Sequence, residues 1–105
     1  MTLERIKRSL LLAATASISS MAAPAFAQVQ IGTGANAVAA GQTAVGDGAV
    51  ATGTTSTAVG NLAMATDEDA AAFGDMAMAT GFHSTAVGGE SIASGRGAQA
   101  FGWQS

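Results

Sequence analysis

The sequence predicts an all-β fold: a parallel β-roll, a solenoid of 14-residue coils, carried behind an N-terminal signal peptide. Three observations lead there. Glycine recurs at positions 32, 46, 60, 74, 88 and 102, always 14 residues apart. A large apolar residue precedes each of them: Ile31, Val45, Val59, Phe73, Val87 and Phe101. Between them small residues alternate at a spacing of two, as in Ser84, Ala86 and Gly88, which is the period of a strand.

The chain has 105 residues, room for one small domain. Residues 1–27 differ in kind from the rest. They carry a basic start (Arg5, Lys7, Arg8), an apolar run from Leu10 to Ala16, and a closing Ala25-Phe26-Ala27. That order is a secretory signal peptide with cleavage between Ala27 and Gln28. The apolar run is too short for a membrane anchor, and no membrane span is expected in the mature chain, residues 28–105. The mature chain has six acids (Asp47, Asp67, Glu68, Asp69, Asp75, Glu90) against Arg96 alone, a net charge of −5. Such a surface cannot neutralise phosphates, so nucleic acid is excluded as a partner. There is no cysteine to staple the exported chain. Most apolar residues are alanine, and a domain this small buries little surface. A chain of this kind is expected to stay disordered or to find a partner.

The 14-residue unit has two unlike halves of seven. The second series of glycines falls at 53, 81 and 95, with Asp67 in the remaining slot, and each follows a small polar residue: Thr52, Thr66, Thr80, Ser94. The irregular start keeps the count, since Gly41 divides the 14 residues between Gly32 and Gly46 unevenly. A coiled coil is excluded, because its apolar positions alternate at three and four, and a glycine in every heptad costs a helix about 1 kcal/mol each. Collagen needs glycine at every third residue, and calcium-binding nonapeptide and hexapeptide solenoids have other periods.

Each half therefore reads as a strand of five residues and a turn of two. Two halves close one coil, and coils stack about 4.8 Å apart. The span from Gly32 to Gly102 makes five coils. One face of each strand is tiny (Ala49-Ala51-Gly53, Ser56-Ala58-Gly60, Ala77-Ala79-Gly81) and points inward between closely apposed strands. Glycine at the strand ends supplies the positive φ of a tight corner, and Asp67 stands in as a residue that tolerates that region. The other face carries two outward ladders, Ile31, Val45, Val59, Phe73, Val87, Phe101 and Val50, Met64, Met78, Ile92. Exposed apolar ladders mark an interaction surface, here one between copies of the chain.

The candidate chemistry is sparse. His83 is the only histidine, and scattered serines do not make a triad, so no enzyme activity, cofactor or metal is expected. Thr66–Ala70, TDEDA, offers carboxylates that suit calcium, but too few oxygens for that ion, and reads as a solvated acidic turn. Gly46-Asp47-Gly48 is a turn, not a phosphate loop, because no lysine or helix start follows. Asp69 and His83 are 14 residues apart and are expected to meet on adjacent coils; Glu68, Phe82 and Arg96 stack the same way. An ice- or carbohydrate-binding solenoid would want a flat threonine array, which Thr52, Thr66 and Thr80 do not give beside bulky ladders.

Thr55–Asn61 (TSTAVGN) and His83–Ser91 (HSTAVGGES) resemble the N-S-V-A-I-G-x-x-S repeats of YadA-like trimeric autotransporter adhesin heads. Ser84, Ala86, Gly88 and Ser91 match, and Val87 sits where the family has Ile or Val; Thr85 replaces Val and His83 replaces Asn. The resemblance implies a left-handed roll and an obligate homotrimer packed around the hydrophobic ladder. It implies a non-catalytic adhesin head at the bacterial surface or outer membrane, with extracellular matrix proteins such as collagen or fibronectin as partners. Ser84, Thr85, Val87 and Ser91 are the residues it carries over as candidates for ligand binding, with Val87 equally a rung of the ladder. Family members continue into a coiled-coil stalk and a C-terminal β-barrel anchor; the sequence given ends at Trp103-Gln104-Ser105, and on it no stalk or anchor is expected. The alternative expectation is a structural spacer or an unanchored remnant of a longer adhesin, secreted or periplasmic.

Overall fold

The computed structural model describes residues 28–105. The signal peptide expected over residues 1–27, with its expected cleavage after Ala27, lies outside the described residues. Short strands alternate between two parallel sheets. The first sheet holds β1 (Val29–Ile31), β3 (Thr43–Val45), β5 (Thr57–Val59), β7 (Ala71–Phe73), β9 (Thr85–Val87) and β11 (Gln99–Phe101), in that spatial order. The second holds β2 (Asn36–Ala37), β4 (Val50–Ala51), β6 (Met64–Ala65), β8 (Met78–Ala79) and β10 (Ile92–Ala93). Every pairing is offset by 14 residues: Val45 faces Val59, Val59 faces Phe73, Met64 faces Met78. The coil inferred from the glycines is therefore the coil observed.

The space between the sheets explains the composition. An alanine occurs every seven residues from Ala37 to Ala100, and each is buried, at the centre of a strand in the first sheet and at the end of one in the second. Nothing larger fits where two backbones approach this closely. Ser56, Ser84 and Ser91 are also fully buried. Their hydroxyls bond the corners: Ser56 Oγ donates to the Gly53 carbonyl at 2.7 Å, and Ser91 Oγ donates to the Gly88 carbonyl at 2.8 Å. Ser84 Oγ accepts from the Gly81 N–H at 3.1 Å. No buried side-chain polar atom is left without a partner among the described residues, as a tight polar interior requires.

The strands are shorter than the sequence suggested, and the turns are longer. Each turn spans four residues and is closed by a hydrogen bond such as Ala63 N–H to Gly60 C=O. Its third residue has positive φ, the mark of a type II turn. That slot recurs every seven residues and is filled by Thr55, Leu62, Asp69, Met76, His83, Glu90 and Gln104 as well as by glycine. The turns also stack: Leu62 N–H donates to Asp47 C=O, and Met76 N–H to Asn61 C=O.

Glycines of both series lie against the next coil, where a Cβ on Gly60 would collide with the Gly74 carbonyl, and only the main series adds a positive φ. Gly60 has φ +139, within the left-handed half of the map. Gly53 does not have positive φ; it is glycine because a Cβ there would collide with the Asp67 carbonyl of the next coil. Asp67 also lies outside the positive-φ set, so tolerance of that region is not why aspartate stands there. Its carboxylate accepts the Glu68 N–H at 2.8 Å instead. At the irregular first coil the buried Gln42 takes the place that Ser56 has one coil on. Its Oε1 accepts from Val38 and Ala39 N–H at 2.8 and 2.9 Å, and its Nε2 donates to Gly53 C=O.

Candidate functional site

The alternation of strand and turn divides the surface into two edges. Val59 ends a strand of the first sheet, residues 60–63 turn, and Met64 opens the second. Both outward ladders therefore border the same set of turns. Thr52 and Thr57 flank the opposite set in the same way, with Thr66, Thr80 and Thr85 on other coils. The roll has one mainly apolar edge and one mainly polar edge; Val29, Val38 and Ala71 interrupt the polar columns.

On the apolar edge, Val45, Val59 and Val87 are half-buried, while Ile31, Phe73 and Phe101 are exposed. Leu62 and Met76, in the positive-φ slot of the turns, lean toward the second sheet. With Gly48, Val50, Met64 and Met78 they line a groove of about 370 Å³ that is almost wholly apolar. The turns of this edge carry a polar column, Thr33, Asp47, Asn61 and Asp75, which gives way to Gly89 and Trp103. In it Asp47 Oδ1 accepts from Thr33 N–H at 3.0 Å, and Asp75 Oδ1 accepts from Asn61 Nδ2 at 2.9 Å.

The polar edge gathers the ionisable groups that the register brings together. His83 Nε2 lies 3.3 Å from Asp69 Oδ2, the contact expected between adjacent coils. The Thr55 hydroxyl donates to the other oxygen of Asp69. The Phe82 ring stacks on His83 at 4.1 Å, and the Arg96 guanidinium sits 4.7 Å from its centroid. Glu68, Asp69 and His83 have donor atoms within 4.8 Å of one another and are the residues that could hold a cation. They supply three donors, fewer than calcium takes. The arrangement can recognise charge and stack on an apolar group. Among the described residues no hydroxyl is hydrogen-bonded to the His83 imidazole.

The four residues singled out from the repeat motif fall in three places. Ser84 and Ser91 are fully buried and hydrogen-bonded to backbone, which leaves them no surface to offer a ligand. Thr85 is half-buried on the polar side of β9, and Val87 is a rung of the apolar edge. Sequence reasoning missed Leu62 and Met76, which extend the apolar surface around the turn. The signal was available: Gly34, Gly41, Gly48 and Gly97 belong to neither main glycine series and lie at multiples of seven from Leu62.

The YadA head domain repeat model matches residues 43–63, 51–77 and 79–105. The chain belongs to the YadA head domain family. Comparison with curated proteins and with solved structures finds no match to either. No helix among the described residues is long and apolar enough to cross a membrane.

Proposed function

We propose that this protein is the head of a bacterial surface adhesin, exported, non-catalytic, and active as a homotrimer. The observation that carries the reading is the division of a YadA-head roll into one apolar and one polar edge. Apolar residues exposed in a row along several coils are disfavoured on a monomer. A two-fold contact, tip to tip, would oppose the Asp47 and Asp75 columns of two copies. Seating the Val/Phe ladder of one copy in the Leu62/Met76 groove of the next avoids that. Such a contact is heterologous, and it makes a closed ring when its rotation is a whole fraction of a turn; a rotation of one third agrees with the trimeric family. The polar edges then point outward, and Thr54, Thr55, Glu68, Phe82, His83 and Arg96 are the residues offered to a ligand.

The ligand class favoured by the family is an extracellular matrix protein such as collagen or fibronectin. Binding of the purified protein to immobilised collagen and fibronectin tests this, with His83→Ala and Arg96→Ala as variants. Binding weakened by both variants in a protein of unchanged oligomeric state supports the polar edge as the adhesive surface. Binding to neither matrix protein removes that ligand class, and binding unchanged by both variants moves the site elsewhere.

A further inference from the structure

All three methionines of residues 28–105, namely Met64, Met76 and Met78, line the same apolar groove. We propose that this groove makes assembly sensitive to oxidation: a two-electron oxidant of the peroxide class converts its thioethers to sulfoxides and releases the chains from one another. The inference rests on the reading that the apolar edge is the contact between copies.

Packing alone does not call for methionine here. Val50 and Ile92 occupy equivalent rungs of the same outward column, and β-branched residues suit a strand better than methionine does. Leu62 takes the turn slot that Met76 takes one coil later. Methionine's other common use, filling irregular gaps in a core, does not apply to an outward column over an alanine interior. What distinguishes it from these neighbours is the reactive sulfur. In the single protomer Met76 is 48% exposed, and Met64 and Met78 are half-buried on adjacent coils. The chain has no cysteine to consume the oxidant first.

The step is an oxygen transfer. The sulfur lone pair attacks the terminal peroxide oxygen, an S–O bond forms and the O–O bond breaks. Sulfur is oxidised by two electrons, and the peroxide is reduced to water or an alcohol. The product is a strong acceptor with no donor facing it. Burying it against the apolar ladder of another copy removes its water without replacing the hydrogen bond. A free protomer keeps the sulfoxide solvated, so oxidation favours the free protomer. The coupling also runs in reverse: assembly covers the sulfurs and slows their oxidation.

The purified protein is treated with hydrogen peroxide and followed by sedimentation and by mass mapping of each methionine. The expected result is loss of the trimer as Met64, Met76 and Met78 gain oxygen, with the triple variant M64L/M76L/M78L remaining assembled under the same treatment. In the unmodified sequence, the oxidation rate at these positions should fall as protein concentration rises. A trimer that persists with all three converted overturns the proposal, as does a leucine variant that dissociates equally or a rate independent of concentration. Absence of a trimer before peroxide is added overturns the reading of the apolar edge, and the switch with it. That failure is visible before any oxidation and so is distinct from the others.

Discussion

The two edges of this roll are made from the same strands and differ only in which side of a turn a residue occupies. Thr57 and Val59 lie two positions apart on β5, both half-buried, both pointing outward. One leads to the polar edge and the other to the apolar edge. The 14-residue register then repeats the choice along the roll, to Thr43 and Val45 one coil below and to Thr85 and Val87 two coils above, with Ala71 and Phe73 between. A difference of two residues in a strand becomes a difference between two whole surfaces. In a globular protein the apolar side would be the core. Here the core is a seam of alanines, and the larger apolar residues lie outside it. Their burial is left to association.

The strongest way to break the comparison is to break what both edges share. Replacing Ala72 with Leu forces extra carbons between two sheets that admit only a methyl group. The expected loss is about 3 kcal/mol of stability, seen as a lowered thermal midpoint with both edges affected alike. A smaller loss would mean that the sheets can move apart.

The next test separates the edges. Val59→Asp places a charge on the apolar edge and should cost association about 3 kcal/mol or more, read as a shift from trimer to monomer in sedimentation. Thr57→Asp, two residues away, should change it by about 0.5 kcal/mol or less. Equal effects would erase the distinction between the edges.

Two smaller effects sharpen the polar edge. Thr55 is β-branched and held at φ +56, so Thr55→Asn should stabilise the roll by about 1 kcal/mol, measured by urea denaturation. The His83–Asp69 contact is half exposed on both sides and is worth at most about 1 kcal/mol. With the imidazole protonated, Asp69→Asn should lower the melting temperature slightly at low salt and less at high salt. A loss unaffected by salt would assign Asp69 a role in the turn rather than in the ion pair.

The coil, the register and the alanine interior were legible because one short period fixes them. Gly46, Gly60 and Gly74 give the repeat, and the alternation Ser84, Ala86, Gly88 gives the strand. The Asp69–His83 contact followed from the same count. What was not legible was anything that depends on the dihedral angles of the turn. A strand of five and a turn of two have the same length as a strand of three and a turn of four, so the count cannot choose between them. The choice decides that Leu62 and Met76 sit in the left-handed slot and lean over the second sheet. It also decides that Gly53 is needed for the close approach of Asp67 and not for its own φ. Ser84 alternates with Ala86 and Gly88 in the small inward series, and Ser91 lies one 14-residue period after Ala77 of that series. A motif reading presents them as binding residues, whereas their spacing already placed them inside.

The absence of cysteine makes the central claim directly measurable. Single-cysteine variants Thr57→Cys and Val59→Cys each carry one thiol, and the labelling rate of each by a thiol reagent can be followed across protein concentration. Thr57→Cys should react at one rate throughout. Val59→Cys should react at a similar rate when dilute and become protected as the chains assemble, because one copy covers the apolar edge of another. Labelling rates that stay alike at every concentration, in a protein that is folded and rich in β structure, would contradict the account.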